Sequence, residues 1–200
     1  MSQDHSFVSP GPAGLGALAV ACFGFGAVFT GQVGLGGLPL LAAWLVGGGI
    51  VQYTVAVMEL KDHNMTGGNV FLFFSAFFMF GAALSVFFKY LMLAGILGDV
   101  KPQPMVEGFC WMAGAGFLTA VTPSYLKSPT PLFLIVLMLD IALWIIVGLD
   151  MGLIGAALKP VVGYLLFACG WIAIYLVAAI VNNHVFGRVV LPTFGTLIKK

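Results

Sequence analysis

Four residues at helical spacing stand out in an otherwise greasy stretch: Gly48, Gln52, Ala56 and Glu59. At about 100° per residue they fall close to one face of a helix. An amide and a carboxylate on that face cannot point at lipid, where a polar group without a partner is costly. The face must meet other helices or water. The chemistry on offer is hydrogen bonding from the Gln52 carboxamide and charge from Glu59, with Gly48 and Gly49 leaving room beside them. That combination points to a polar path lined in part by this helix. Glu59 is also placed to anchor the helix end beside Lys61, just before Asn64.

Other chemistry is sparse. Asp140 is the only acid deep within an apolar run. An acid there handles protons, gates a substrate or makes a structural hydrogen bond between helices, and these readings stay open. The chain enters its first apolar run through Ser9-Pro10-Gly11-Pro12-Ala13-Gly14-Leu15. Ser9 suits an N-cap and the prolines suit a first turn, so this is either an ordinary helix start or a place where free N–H groups hold an anion. No apolar run carries a central Lys or Arg. An anion would therefore have to be met by amides, hydroxyls and helix ends. Arg188, just past the last run, is placed to satisfy helix-end carbonyls or to meet anionic lipid.

Nothing here assembles into a catalytic or metal centre. Cys22, Cys110 and Cys169 stand singly in apolar runs, and His5, His63 and His184 lie near span ends without a nucleophile partner. No enzyme activity, metal or cofactor is expected. There is no basic patch interleaved with aromatics, so nucleic acid is not an expected partner.

These residues must be positioned by membrane helices. The chain is 61% hydrophobic and 8% charged, with a mean hydropathy of +1.10, whereas soluble chains carry roughly 25% charged residues. At about 20 residues per span, its 200 residues could hold no more than about seven. The apolar runs predict six, at 12–34, 37–59, 69–93, 106–124, 131–150 and 161–182, in a single transmembrane domain covering 1–200 with short tails. The first residues lack the basic start of a cleaved signal peptide. An even number of spans puts both termini on one side. Lys61, Lys127, Arg188, Lys199 and Lys200 share that side against Lys89, Lys101 and Lys159 on the other, which favours cytoplasmic termini. Ala13, Ala17, Ala21 and Gly24 form a small-residue ridge suited to close helix packing. The third run holds Phe71, Phe74 and Phe78 on one face and Phe73, Phe77 and Phe80 on another. Those facing the bundle axis could form a dry constriction.

Taken in order, these segments resemble the acetate uptake transporter family, the succinate–acetate permease or YaaH-like type. Its Asn-Pro-Ala-Pro-Leu-Gly-Leu motif stands here as Ser9 to Leu15, with Pro10, Pro12 and Gly14 at the matching places. Its Gly-Gly-x-x-Gln helix and Glu-x-Lys-x-x-Asn turn stand as Gly48, Gly49, Gln52, Glu59, Lys61 and Asn64. Its Ala-Ile-Tyr-Leu and Phe-Gly-Arg-x-Val-Leu-Pro motifs stand as Ala173 to Leu176 and Phe186 to Pro192.

The resemblance implies an all-α, six-helix protomer in the cell (inner or plasma) membrane, assembled as a homohexamer with a separate path through each protomer. It implies acetate, succinate or a related small carboxylate as substrate, moved through an anion channel or together with protons. It also implies a hydrophobic constriction at Leu18, Phe74 and Met138, where the family commonly has Phe, Tyr and Leu. Ser9 replaces the motif asparagine, and Phe74 would remove a hydroxyl from the constriction. The substrate path is expected to involve Gln52, Ser9 and Asp140. The competing expectation is a membrane sensor or scaffold that binds a carboxylate without passing it.

Overall fold

The computed structural model describes residues 8–198; His5, Lys199 and Lys200 lie outside them. Among the described residues the regular elements are all helical, and six helical spans are long and apolar enough to cross a membrane. This is a multi-pass membrane protein.

The elements are α1 (Gly11–Phe29), α2 (Leu38–Lys61), α3 (Met65–Phe74), α4 (Ala82–Leu93), α5 (Pro104–Val121), α6 (Thr130–Asp150) and α7 (Lys159–Val185). A π-helical segment, Ser75–Gly81, joins α3 to α4 within one span. A 3-10 turn, Thr122–Lys127, joins α5 to α6. Pro12, Pro39, Pro104, Pro131 and Pro160 all sit in first turns, where the missing N–H forfeits no helical bond.

Four helices end in one way. After α1, Gly31 takes a positive φ of 74°, the Gln32 N–H reaches back to Ala27 O at 2.9 Å, and the Gly31 N–H reaches Val28 O. This is the Schellman closure, which satisfies carbonyls that the helix leaves free. Gly95 and Gly152 close α4 and α6 likewise. At the end of α2 the left-handed position falls to His63, with the Asn64 N–H on Glu59 O at 2.9 Å. The first helix thus stops at Phe29 instead of running to 34.

The α2–α3 turn then explains its motif. The Asn64 side chain caps α3 by accepting from the Gly67 N–H at 3.0 Å, and its amide donates to the Glu59 carboxylate. Glu59 is buried and held by Asn64, whereas Lys61 is exposed. The expected anchoring beside Lys61 is therefore replaced by a bond across the turn.

Packing follows the small residues. α1 lies along α7 and α2, and α6 lies between α5 and α7. Gly26 of α1 and Gly163 of α7 face each other so closely that a Cβ on Gly163 would stand 2.9 Å from Gly26 O. Cys22 and Cys169 are fully buried in this core, while Cys110 is exposed. Glu107 of α5 accepts from both Ser85 and Lys89 of α4, a charge-assisted pair that ties the two helices.

Candidate functional site

Gly48 and Gly49 do steric work before Gln52 does chemistry. A Cβ on Gly48 would meet Met79 Sδ at 3.0 Å, and one on Gly49 would meet the Phe80 ring at 2.8 Å. Both contacts belong to the π-helical segment, whose wider turn pushes these side chains against α2. Gly14 performs the same service for Phe71, whose ring lies 2.6 Å from where a Cβ would be. The motif glycines thus let α1, α2 and α3 close around one point.

That point is a cavity of about 40 Å³, which holds a few waters at most when about 10–15 Å³ accommodates one. Leu15 and Leu18 of α1, Gln52 of α2, Val70, Phe71 and Phe74 of α3, and Leu118 of α5 line it. Tyr125 of the α5–α6 turn and Leu132, Ile135, Val136 and Leu139 of α6 complete the wall. Every lining side chain except Gln52 and Tyr125 is a hydrocarbon. Gln52 is 1% exposed, and its carboxamide oxygen has no hydrogen-bond partner. Leaving such an oxygen unpaired costs about 1–3 kcal/mol. The cavity is apolar and carries an unused acceptor.

The other expected residues fall into two groups. Leu18 and Phe74 line the cavity with Gln52. On α6 it is Leu139 that does so, while Met138, about 100° round the helix, is half-buried and packs against the core. Asp140 does not line the cavity. Its carboxyl pairs with the Thr119 hydroxyl of α5 at 2.7 Å, and the Trp144 indole N–H donates to that hydroxyl at 3.0 Å. The acid therefore joins α5 to α6. Pro10, not Ser9, occupies the N-cap position of α1, and the Ser9 hydroxyl reaches the Gly11 N–H at 3.4 Å. Glu59 already fills the space before this helix end, with Oε1 3.4 Å from the position of a Gly11 Cβ. Arg188 is exposed. The last carbonyls of α7 accept instead from the Phe186 and Gly187 N–H groups.

Tyr125 was not singled out by its sequence position. It lies on a turn past the expected end of the fourth span, and only the tertiary fold brings it beneath Gln52's cavity. A larger recess of about 530 Å³ opens on the flank, among Tyr53, Asn69, Phe73, Phe77, Phe80 and Phe117. The Asn69 amide donates to Met65 O and the Ser75 hydroxyl to Leu72 O, so two of its polar groups are already engaged. It is a hydrocarbon groove beside the bundle.

A model of the GPR1/FUN34/yaaH family matches residues 1–196. The chain belongs to this family. No curated protein matches this GPR1/FUN34/YaaH chain. Among solved structures, that of the bacterial acetate channel SatP matches with a TM-score of 0.79 at 25% identity, covering 94% of this chain and 99% of that one. The similarity thus spans the whole bundle, and the solved neighbour is a channel, not an enzyme.

Proposed function

We propose that this family member carries acetate across the membrane through the cavity at Gln52, one path in each protomer of a homohexamer. The observation that carries the reading is the buried Gln52 carboxamide with its unpartnered oxygen, set in a cavity walled mostly by hydrocarbon. A carboxylic acid group pairs with a carboxamide through two hydrogen bonds, O–H to the amide oxygen and N–H to the acid carbonyl. This pairing works whichever way the amide is turned. The Tyr125 hydroxyl is the other polar side chain on the wall.

Two such groups do not replace the water shell of a carboxylate, whose full desolvation costs tens of kcal/mol. The neutral acid is the species we place at the constriction, so one proton accompanies each acetate. A dicarboxylate such as succinate would bring a second carboxyl group into a wall that offers only Gln52 and Tyr125 as polar partners, so a monocarboxylate suits the cavity better. Leu18 and Phe74, with Leu139 opposite them, would form the dry ring, and Asp140 would serve the α5–α6 contact. The similarity to an acetate channel over nearly the full chain supports the same substrate.

Uptake of radiolabelled acetate into proteoliposomes, read against protein-free vesicles of the same lipid, tests this directly. Uptake several-fold above the empty vesicles is expected, with weaker uptake of succinate. Acetate binding to the purified protein without uptake above the empty vesicles would contradict the reading and mark a carboxylate-binding scaffold.

A further inference from the structure

The last stretch of the chain does not trail away from α7. Gly187, at a φ of 62°, turns it back. Asn183 fixes the return: its side-chain oxygen accepts from the Val190 and Leu191 N–H groups at 2.6 and 3.0 Å, and its amide donates to Leu191 O at 2.7 Å. The Tyr175 hydroxyl donates to Pro192 O at 2.7 Å. The chain then crosses to the start of α6. Gly195 O accepts from both the hydroxyl and the N–H of Thr130, at 2.6 and 3.0 Å, and Thr196 pairs with Pro129 as an antiparallel bridge. Finally the Ile198 N–H donates to Leu126 O at 3.1 Å.

Leu126 is the neighbour of Tyr125, the turn residue that lines the cavity. The segment therefore ties α7 to the one piece of the cavity wall that lies outside the α-helices. Its own residues are largely exposed and its contacts to α6 and the turn are hydrogen bonds. Segments with few buried apolar contacts and exposed hydrogen bonds open at the lowest free energy. Meanwhile most of the residues lining the cavity are buried, so for cargo to enter and leave some part of its wall must move.

We propose that Arg188–Ile198 is a strap that closes the path: docked, it holds the Thr122–Lys127 turn so that Tyr125 stays packed against the cavity, and released, it lets that turn swing out. The role as a gate rests on the transport reading above. The strap's control of Tyr125 does not.

The bridge between Pro129 and Thr196 gives a lock. Opposed side chains in an antiparallel pair have Cβ atoms about 4.5–5.5 Å apart, close to the span a disulfide needs. The Pro129→Cys/Thr196→Cys chain, reconstituted whole, is compared oxidised and reduced in one preparation, with the cross-link verified by mass. Oxidation is expected to lower acetate flux at least fivefold and reduction to restore it, while the wild type is indifferent to both treatments. Equal flux in the cross-linked and reduced forms overturns the proposal. If neither the reduced form nor the wild type passes acetate above empty vesicles, the transport reading has failed, and a second readout decides the strap. In a Tyr125→Cys chain, adding Tyr175→Phe and Thr130→Val removes two strap bonds. Maleimide labelling at position 125, resolved by mass from Cys110, is expected to rise several-fold. Labelling that does not change overturns the strap's hold on the turn.

Discussion

Gln52→Leu is expected to make the protein more stable and transport worse. The side chain is 1% exposed and its oxygen is unpartnered, so replacing it with a hydrocarbon of similar size removes an unmet hydrogen-bonding group. Recovery of about 1 kcal/mol is reasonable against the roughly 1–3 kcal/mol such a group costs. Acetate would in turn lose the group it pairs with. Loss of a hydrogen bond worth about 1.4 kcal/mol is a tenfold effect, so flux should fall at least about tenfold. Thermal unfolding in detergent and flux in proteoliposomes, measured on the same preparation, check both halves. A variant that is less stable yet transports normally would show that Gln52 serves packing and not passage.

The second large effect lies far from any polar group. A Cβ on Gly163 would stand 2.5 Å from Thr30 Cγ2, 2.9 Å from Gly26 O and 3.1 Å from Thr30 N. The first of these atoms belongs to a side chain that can turn aside. The other two are backbone and cannot yield without moving α1 off α7. Gly163→Ala is therefore expected to destabilise by about 2–3 kcal/mol, within the range for overpacked cores. For a chain of this size each kcal/mol shifts Tm by about 2–4 °C. Because α1 also carries Leu15 and Leu18 of the cavity wall, flux should fall with stability. Gly16→Ala on α1 is the control, since a Cβ there meets nothing within 4 Å. It should hold or raise Tm, by the helix propensity gained over glycine. Equal Tm values for the two variants would show that the close approach of α1 and α7 is not what limits the fold.

The six spans were legible because each is a long apolar run, while the glycines that close three of them went unread as ends. Gly31, Gly95 and Gly152 each mark a left-handed closure. The α2 end was harder to read because His63 takes the position that glycine usually fills. The π-helical segment was invisible for a different reason. Ser75–Gly81 is so rich in phenylalanine that an added residue leaves no break in the hydrophobic pattern.

At the cavity, the sequence could assign residues to helix faces but not faces to neighbours. Gln52 was found from the polar face of its helix, and Leu18 only through the family resemblance, counted from the motif that opens α1. Met138 and Leu139 are adjacent hydrophobic residues on one helix, and nothing in their types says which of them points inward. Asp140 looked like a path residue because acids in spans are costly. Its partner, Thr119, lies 21 positions earlier on another helix, where no local pattern could reveal it. Tyr125 and the strap belong to the same class. The contact of Thr130 with Gly195 spans 65 residues, and it gives the Phe186 to Pro192 motif a tertiary purpose that a reading of Arg188 as a local cap did not contain.

The central claim is that acetate passes through the protomer at this cavity. The most direct measurement is acetate flux through reconstituted Val136→Phe beside Leu134→Phe. Val136 is buried on the cavity wall, whereas Leu134, two residues away on α6, is 41% exposed on the outside of the bundle. A ring added at Val136 should fill a space of about 40 Å³ and cut flux by an order of magnitude, while the same ring at Leu134 leaves it unchanged. Wild-type flux through folded Val136→Phe would place the path elsewhere and contradict the account.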